Sequence, residues 1–318
     1  MPLLVNDKSL DCIVGCNERE VKPSGLDLNA VYPHFKESST QLFSKSPQKC
    51  QLAGVLYVCQ REYAVTTPQD SVVDVIGSED ATTCHVAVLR HTGCGVTGLA
   101  HFDGCSTSQG VTDLISRVGD LSQSSKEGRL ELHLVGGFSD DQKHSEKLSK
   151  ELLCEFHRQA SPVHLKTACI TDVNTIVKDN ANWPRLYGIG VNVKSGEIFP
   201  AIFEDKGPDQ ALRGLRNFIG DQDMLNVYNH ETGELRIGPF SYQKWPHAAL
   251  ILAQPDAFIR KNLSTSPEVE PPYFENHVRQ ALTFYLQNPD PAKTVFPQQR
   301  SHVYKRNAEG RWEAAGKK

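Results

Sequence analysis

The chain has 318 residues, 39% of them hydrophobic and 23% charged, with a formal net charge of -4. These values suit a globular protein with a sizeable core and give no support to a basic phosphate-binding surface, so no nucleic-acid partner is expected. No run reaches the roughly 18 apolar residues of a membrane span. The nine cysteines are odd in number and follow an opening without a charged leader, which favours reduced thiols in cytoplasm or nucleus over a disulfide framework.

At the start, Pro2 is small enough for Met1 to be removed, which predicts a mature chain beginning at Pro2. Cys12 and Cys16 form a lone pair with no second pair to complete a zinc site. Residues 6–50 are mixed in character, with a short helix expected over Leu26–Tyr32, ended by Pro33. Gly54–Gln60 and Tyr63–Thr67 are rich in β-formers and are expected to pair with each other, followed by a strand over Ser71–Ile76. The acidic loop Gly77-Ser78-Glu79-Asp80 then leads into a run from Ala81 to His91, a glycine-rich turn, and a returning strand through His101 and Asp103.

Beyond this hairpin, Val111–Leu121 suits a helix, and Leu130–Val135 alternates as a half-buried strand does. Ser139 and Gln142 fit a capping box opening a helix with Leu148, Leu152, Leu153 and Phe156 on one face. Val163–Val173 is expected as a strand, and Tyr187–Val193 with Glu197–Phe203 as a hairpin around Lys194-Ser195-Gly196. A helix follows over Asp209–Ile219, then a hairpin of Met224–Tyr228 with Glu234–Ile237. A second clear helix spans Phe274–Leu286, with Phe274, Val278, Leu282 and Leu286 at steps of four, and His302–Glu313 forms a last hairpin. Many hairpins with interspersed helices and no long linker indicate an α+β sandwich of largely antiparallel sheets. A single domain over 1–318 is expected, with a variable part at 6–50 and a C-terminal hairpin or tail at 297–318.

The chemistry concentrates in the Cys84 hairpin. Alternation puts Cys84, Val86 and Val88 on one face and His85, Ala87 and Leu89 on the other, so His85 points away from Cys84. A turn centred between Thr92 and Gly93 would set His101 directly opposite Cys84, within reach of a thiol. A nucleophilic cysteine needs such a partner, because a nearby imidazolium lowers the thiol pKa and the thiolate is the reactive form. Ser78 is a candidate to orient the imidazole, and the Thr82-Thr83-Cys84 backbone is a candidate oxyanion site. The bland readings stand beside these: Cys84 as a buried hydrophobe, His101 as a structural hydrogen-bonder, Ser78 as a turn residue and Glu79-Asp80 as a solvated corner. His85, His91 and Cys94 are scattered by the alternation and do not read as a metal site.

Several stretches resemble one family, the protein N-terminal asparagine amidohydrolases. They are Met1–Val5, Asp80–His85, Val88–Gly93, His133–Asp141, Leu235–Pro239 and Asn262–Pro267, with the weakest coverage from Asn6 to Cys50. The resemblance implies Cys84 as the nucleophile. It also implies an α-β-β-α sandwich similar to the chemoreceptor glutamine deamidases and deamidating toxins. In the chemoreceptor deamidases a histidine follows the cysteine by seventeen positions and a hydroxyl residue precedes it by six, positions held here by His101 and Ser78. The implied reaction converts an N-terminal Asn to Asp through a Cys84 thioester, without metal or organic cofactor, at the head of the Arg/N-degron degradation pathway. Its substrates are proteins or peptides with a free N-terminal Asn, and a monomer is expected. Glu79, Asp80 and Asp103 are candidates to bind the substrate α-ammonium, and Thr83 to line the site. A cysteine peptidase, a broader Asn/Gln amidase and a non-catalytic N-degron reader are the alternatives.

Overall fold

A computed structural model describes residues 3–10, 28, 32–51, 53–125 and 127–316. Cys12, Cys16, the mature N-terminus at Pro2 and most of the expected helix over Leu26–Tyr32 lie outside the described residues. The elements in order are β1 (Leu3–Val5), β2 (Lys8–Ser9), α1 (His34–Phe43), β3 (Gln48–Cys50), β4 (Val55–Tyr57), β5 (Glu62–Thr66), β6 (Val75–Ser78), β7 (His85–His91) and β8 (Thr97–Phe102). Then come α2 (Thr107–Ser122), β9 (Leu130–Gly136), α3 (His144–His157), β10 (Val163–Ile170), β11 (Thr175–Lys178), β12 (Ala181–Pro184), β13 (Ile189–Asn192) and β14 (Ile198–Phe203). The last part holds α4 (Gln210–Ile219), β15 (Leu225–Asn226), β16 (Tyr228–Asn229), β17 (Glu234–Ile237), α5 (Ala248–Leu252), α6 (Asp256–Leu263), α7 (Phe274–Gln287), α8 (Pro291–Thr294), β18 (His302–Arg306) and β19 (Trp312–Ala314). Among the described residues no helix is long and apolar enough to cross a membrane.

The fold is mixed α and β. An eight-stranded sheet runs β15-β5-β8-β7-β9-β10-β1-β2, a five-stranded sheet β3-β14-β13-β6-β4, and a four-stranded sheet β16-β17-β18-β19. Antiparallel pairs predominate, but both larger sheets are mixed: β9, β10 and β1 run parallel in one, and β4 runs parallel to β6 in the other. The expected β4–β5 pairing is not formed. β4 joins β6 in the smaller sheet and β5 joins β8 in the larger, so this sequence neighbourhood is where the chain passes between sheets.

Alternation along β7 and β8 sends side chains to two different core clusters, one on each face of the larger sheet. Ala87, Leu89, Ala100 and Phe102 bury against Val111 and Leu114 of α2 and Leu152 and Phe156 of α3. On the opposite face Val86, Val88 and Leu99 pack with Ile76, Ile189 and Val191 of the five-stranded sheet. Each buried Val, Leu, Ile or Phe contributes about 1.5–3 kcal/mol by leaving water, so the two sheets are held together by apolar burial along their facing surfaces.

Two helix expectations need correction. The helix after Ser139 begins only at His144; Asp140, not Ser139, caps it, accepting from the His144 N–H at 2.8 Å and the Ser145 N–H at 2.9 Å. In α7 the buried residues include Val278, Ala281, Leu282 and Tyr285, whereas Leu286 is 43% exposed. Steps of four overshoot the helical turn, so three such steps rotate a residue off the buried stripe.

Candidate active site

The β7–β8 hairpin turns through Thr92-Gly93-Cys94-Gly95, closed by bonds from Gly95 N–H to the His91 carbonyl (2.8 Å) and from His91 N–H to the Val96 carbonyl (2.9 Å). Gly95 takes the left-handed conformation (φ +76°), which a β-carbon disfavours. The turn centre is thus one residue later than expected, and the pairing slips by two: His101 stands opposite Val86, not Cys84. A slip of two preserves parity. Cys84 and His101 therefore still share a face, in diagonal rather than direct opposition, and an imidazole can span that separation. Cys84 itself lies in the loop immediately before β7, not inside the strand.

That shared face looks toward the smaller sheet, where Ser78 ends β6 on the same side as Ile76. Ser78 Oγ lies 2.7 Å from His101 Nδ1, a contact that links the two sheets. The Ser78 hydroxyl proton is donated to the Val58 carbonyl at 2.6 Å. It follows that His101 Nδ1 carries the hydrogen and donates to Ser78, leaving the lone pair on Nε2. Among the described residues Nε2 has no hydrogen-bond partner, although it is buried. His101 is 2% exposed, and burial pulls its pKa down to about 4 against the opposing charges of Asp103, Asp80 and Glu62.

Burial pushes the Cys84 thiol well above its usual range, and Asp103 and Glu270 push it the same way while Arg61 opposes them. The expectation of an imidazolium that lowers the thiol pKa is therefore corrected: burial disfavours thiolate and imidazolium alike and so favours the neutral pair. His85, as expected, points to the other face, where Nε2 meets Ser149 Oγ at 2.7 Å beneath α3. Burial holds it neutral, with a pKa of about 3.

Cys84, His101, Thr83, Glu79, Asp80 and Asp103 line one cavity of about 390 Å³. In the acidic corner Glu79 is buried, Asp80 is partly exposed, and both are ion-paired. Lys206 Nζ lies 2.6 Å from Asp80 and 3.4 Å from Glu79, and Asp80 also accepts from the Tyr273 hydroxyl at 2.7 Å. Asp103 is held by Arg61 Nε at 2.6 Å and Gln60 Nε2 at 2.7 Å. Burial would raise its carboxyl, but Arg61, the Cys105 N–H and Gln60 together keep it below the usual carboxylate range. All three candidates for the α-ammonium are thus already paired. Of the backbone donors, Thr82 N–H is committed to the Asp80 carbonyl at 3.0 Å. Among the described residues no hydrogen bond engages the N–H of Thr83 or Cys84.

Three partners of the cavity were not read from the sequence. Lys206 and Arg61 are isolated basic residues with no local pattern. Glu270 lies in an irregular stretch that reads only as a loop. The one available signal was Asn262–Pro267: Thr265 Oγ1 sits 3.0 Å from Thr83 Oγ1, and Ser266 Oγ donates to Thr82 Oγ1 at 3.0 Å, so this segment braces the loop that carries Cys84. Gly136-Gly137 has a similar purpose from below. Gly137 N–H donates to the Cys84 carbonyl at 2.8 Å, and a β-carbon on Gly136 would sit 2.5 Å from the same oxygen. Among the described residues no group of three His, Cys, Asp or Glu is placed to hold a metal ion.

Fold and cavity define a thiol–imidazole site on a mixed α/β scaffold. The profile of the protein N-terminal asparagine amidohydrolase family matches residues 45–314. Among curated relatives, the Homo sapiens protein N-terminal asparagine amidohydrolase is 43% identical over 98% of both chains, and that of Sus scrofa 44% over 98% of this chain and 97% of its own. The Arabidopsis thaliana protein of the same name is 29% identical over 81% of this chain and 80% of its own. The chain belongs to the protein N-terminal asparagine amidohydrolase family.

Proposed function

We propose that the protein hydrolyses the side-chain amide of an N-terminal asparagine in proteins and peptides, giving aspartate and ammonia, with Cys84 as nucleophile and His101 as acid and base. The observation that carries this reading is the unpartnered Nε2 of His101, its tautomer set by Ser78, in the same cavity as Cys84. Family membership supplies the substrate class.

In this mechanism the Cys84 sulfur attacks the carboxamide carbon as His101 Nε2 takes the thiol proton. Because burial favours the neutral pair, proton transfer accompanies the attack. The carbonyl oxygen becomes an oxyanion, which the N–H groups of Thr83 and Cys84 stabilise. The imidazolium then returns the proton to the nitrogen, and the C–N bond breaks to release ammonia and leave a thioester on Cys84. Water enters, Nε2 takes its proton, and the thioester collapses to a carboxylate and the free thiol. The N-terminal Asp so made would feed arginylation and degradation in the Arg/N-degron pathway. We read the enzyme as a monomer of the cytoplasm or nucleus. The fold is read as an α-β-β-α sandwich of the cysteine-deamidase kind, a reading supported by two sheets facing each other with α2 and α3 outside the larger.

The test is incubation with peptides beginning in Asn, Gln and N-acetyl-Asn, following ammonia and mass. Ammonia and the amide-to-acid mass gain are expected only from the free Asn peptide and are expected to vanish in Cys84→Ala. Unchanged turnover in that variant would sink the assignment of Cys84, and peptide fragments instead of ammonia would indicate a peptidase. Comparable turnover of the Gln peptide would indicate a broader amidase.

A further inference from the structure

Four carboxylates line the cavity: Glu79, Asp80, Asp103 and Glu270. The first two share Lys206, and Asp103 is taken by Arg61. Glu270 differs. Among the described residues it has no salt-bridge partner, and the one hydrogen bond to its carboxylate comes from Ser264 Oγ to Oε1 at 2.5 Å. The neighbouring guanidinium of Arg260 does not answer it. Arg260 engages both carboxylate oxygens of Glu275 and touches Glu270 only through its backbone carbonyl, at 3.0 Å.

We propose that the Glu270 carboxylate is the receptor for the substrate's free α-ammonium group. This rests on the reading of the site as an N-terminal asparagine amidase. A site that demands an unblocked N-terminus must supply an anion without a counter-charge of its own, and Glu270 is the cavity carboxylate that meets that demand. Its position suits the task. The segment leading to it is pinned to the Cys84 loop by the Thr265–Thr83 and Ser266–Thr82 contacts, each at 3.0 Å. Its charge is also felt at the Cys84 sulfur. Burial raises the Glu270 carboxyl to about 7; Asp80 and Glu275 add to this, while the Ser264 hydrogen bond and Arg260 oppose it. An arriving ammonium would supply the missing cation.

The clamp also bears on selectivity. Pocket size alone rejects one extra methylene by only about 10–200-fold. With the α-nitrogen fixed at Glu270, the amide carbon of Gln lies one bond further from that anchor than the amide carbon of Asn, so Cys84 can be matched to only one of them. The two requirements, a free amine and a single methylene, then reduce to one distance.

The experiment compares an Asn-peptide with its des-amino analogue, in which a succinamoyl group replaces Asn and only the amine is missing. Both are assayed for ammonia with the wild type and Glu270→Gln. Glutamine keeps the shape and the acceptor for Ser264, and an unchanged thermal midpoint would report an intact fold. The wild type should prefer the free amine, and Glu270→Gln should lose about 30-fold or more in kcat/KM on the Asn-peptide, chiefly through KM. On the des-amino analogue that variant should lose far less than on the Asn-peptide, so that the preference disappears. In parallel, the Kd of each peptide is measured with Cys84→Ala and with Cys84→Ala/Glu270→Gln, which needs no turnover. The double variant should bind the Asn-peptide about 30-fold or more weakly and lose far less on the analogue. Retention of the free-amine preference in Glu270→Gln, in turnover or in binding, overturns the clamp. Absence of ammonia from the wild type with the Asn-peptide would instead overturn the amidase reading on which the clamp rests.

Discussion

Ser78 Oγ meets His101 Nδ1 at 2.7 Å across the seam between the two larger sheets. The serine proton is already committed to the Val58 carbonyl, so the contact sets which imidazole nitrogen is protonated and which is left as the base. The relationship is electronic as well as positional. Ser78→Ala would free His101 to adopt the other tautomer, which presents N–H to the thiol. Turnover number should fall by about one to two orders of magnitude with little change in KM, by analogy with the loss of an orienting partner in other hydrogen-bonded histidine systems. The Val58 carbonyl would also lose its partner, costing about 1–3 kcal/mol of stability. Steady-state ammonia release and urea unfolding measure the two effects; a variant that loses stability but keeps its turnover number would remove Ser78 from the mechanism.

The pH profile should separate two groups. His101 acts only when Nε2 is unprotonated, and its pKa lies near 4, so the acid limb of kcat should fall well below the pKa of about 6.5 of an ordinary histidine. Glu270 binds an ammonium only when ionised. Its carboxyl lies near 7, facing Asp80, Glu275 and Arg260, so kcat/KM should begin to fall as pH drops through that value. The Glu270→Gln substitution should erase this upper limb and leave the acid limb of kcat where it was. A single acid limb near 6.5 in both parameters would contradict both assignments.

How much of this was legible in the sequence follows from the range of each interaction. The parity of Cys84, His85 and His101 depends only on alternation along extended chain, and it survived a turn placed one residue off. The turn itself did not, because its centre is fixed by contacts outside the hairpin. A β-carbon on Gly93 would meet the Glu127 carbonyl at 1.7 Å, and Arg90 Nη1 donates to the Gly95 and Val193 carbonyls at 2.9 and 2.8 Å. Ser78 could be named from the resemblance, yet its bond to His101 exists only because β6 and β8 belong to sheets that face each other. Glu270 was invisible for the same reason. Its distinction is that no cation among the described residues forms a salt bridge with its carboxylate, and the cations that engage the carboxylates around it, Arg61, Lys206 and Arg260, come from three distant parts of the chain.

The support beneath the cavity is testable through a buried ion pair. Arg213 of α4 donates to both oxygens of Glu62 on β5, at 2.9 and 2.6 Å, and the side chains are 1% and 4% exposed. The same guanidinium donates to the Lys206 carbonyl at 3.0 Å, which ties the pair to the lysine that pairs with Glu79 and Asp80. Arg213→Met leaves the Glu62 charge uncompensated and should cost about 3–5 kcal/mol. Adding Glu62→Gln removes the stranded charge and should restore part of that loss. Urea midpoints of the two singles and the double complete the cycle, and strict additivity would deny the pair its coupling.

Acid stability offers a check on the two buried histidines themselves. His101 and His85 are held neutral by burial, with pKa values near 4 and 3, against about 6.5 in an unfolded chain. Between these values the unfolded state binds protons that the folded state does not, so stability rises with pH there and is lost as pH falls from 6.5 toward 4. At pH 5 each histidine should have lowered the unfolding free energy by about 2 kcal/mol relative to neutral pH. His85 Nε2 meets Ser149 Oγ at 2.7 Å, on the face away from the thiol. His85→Gln should therefore flatten the pH dependence of the urea midpoint between pH 7 and 5, even if it lowers stability at pH 7. A variant whose curve runs parallel to the wild type over that interval would mean that His85 takes up its proton in the folded state as readily as in the unfolded one.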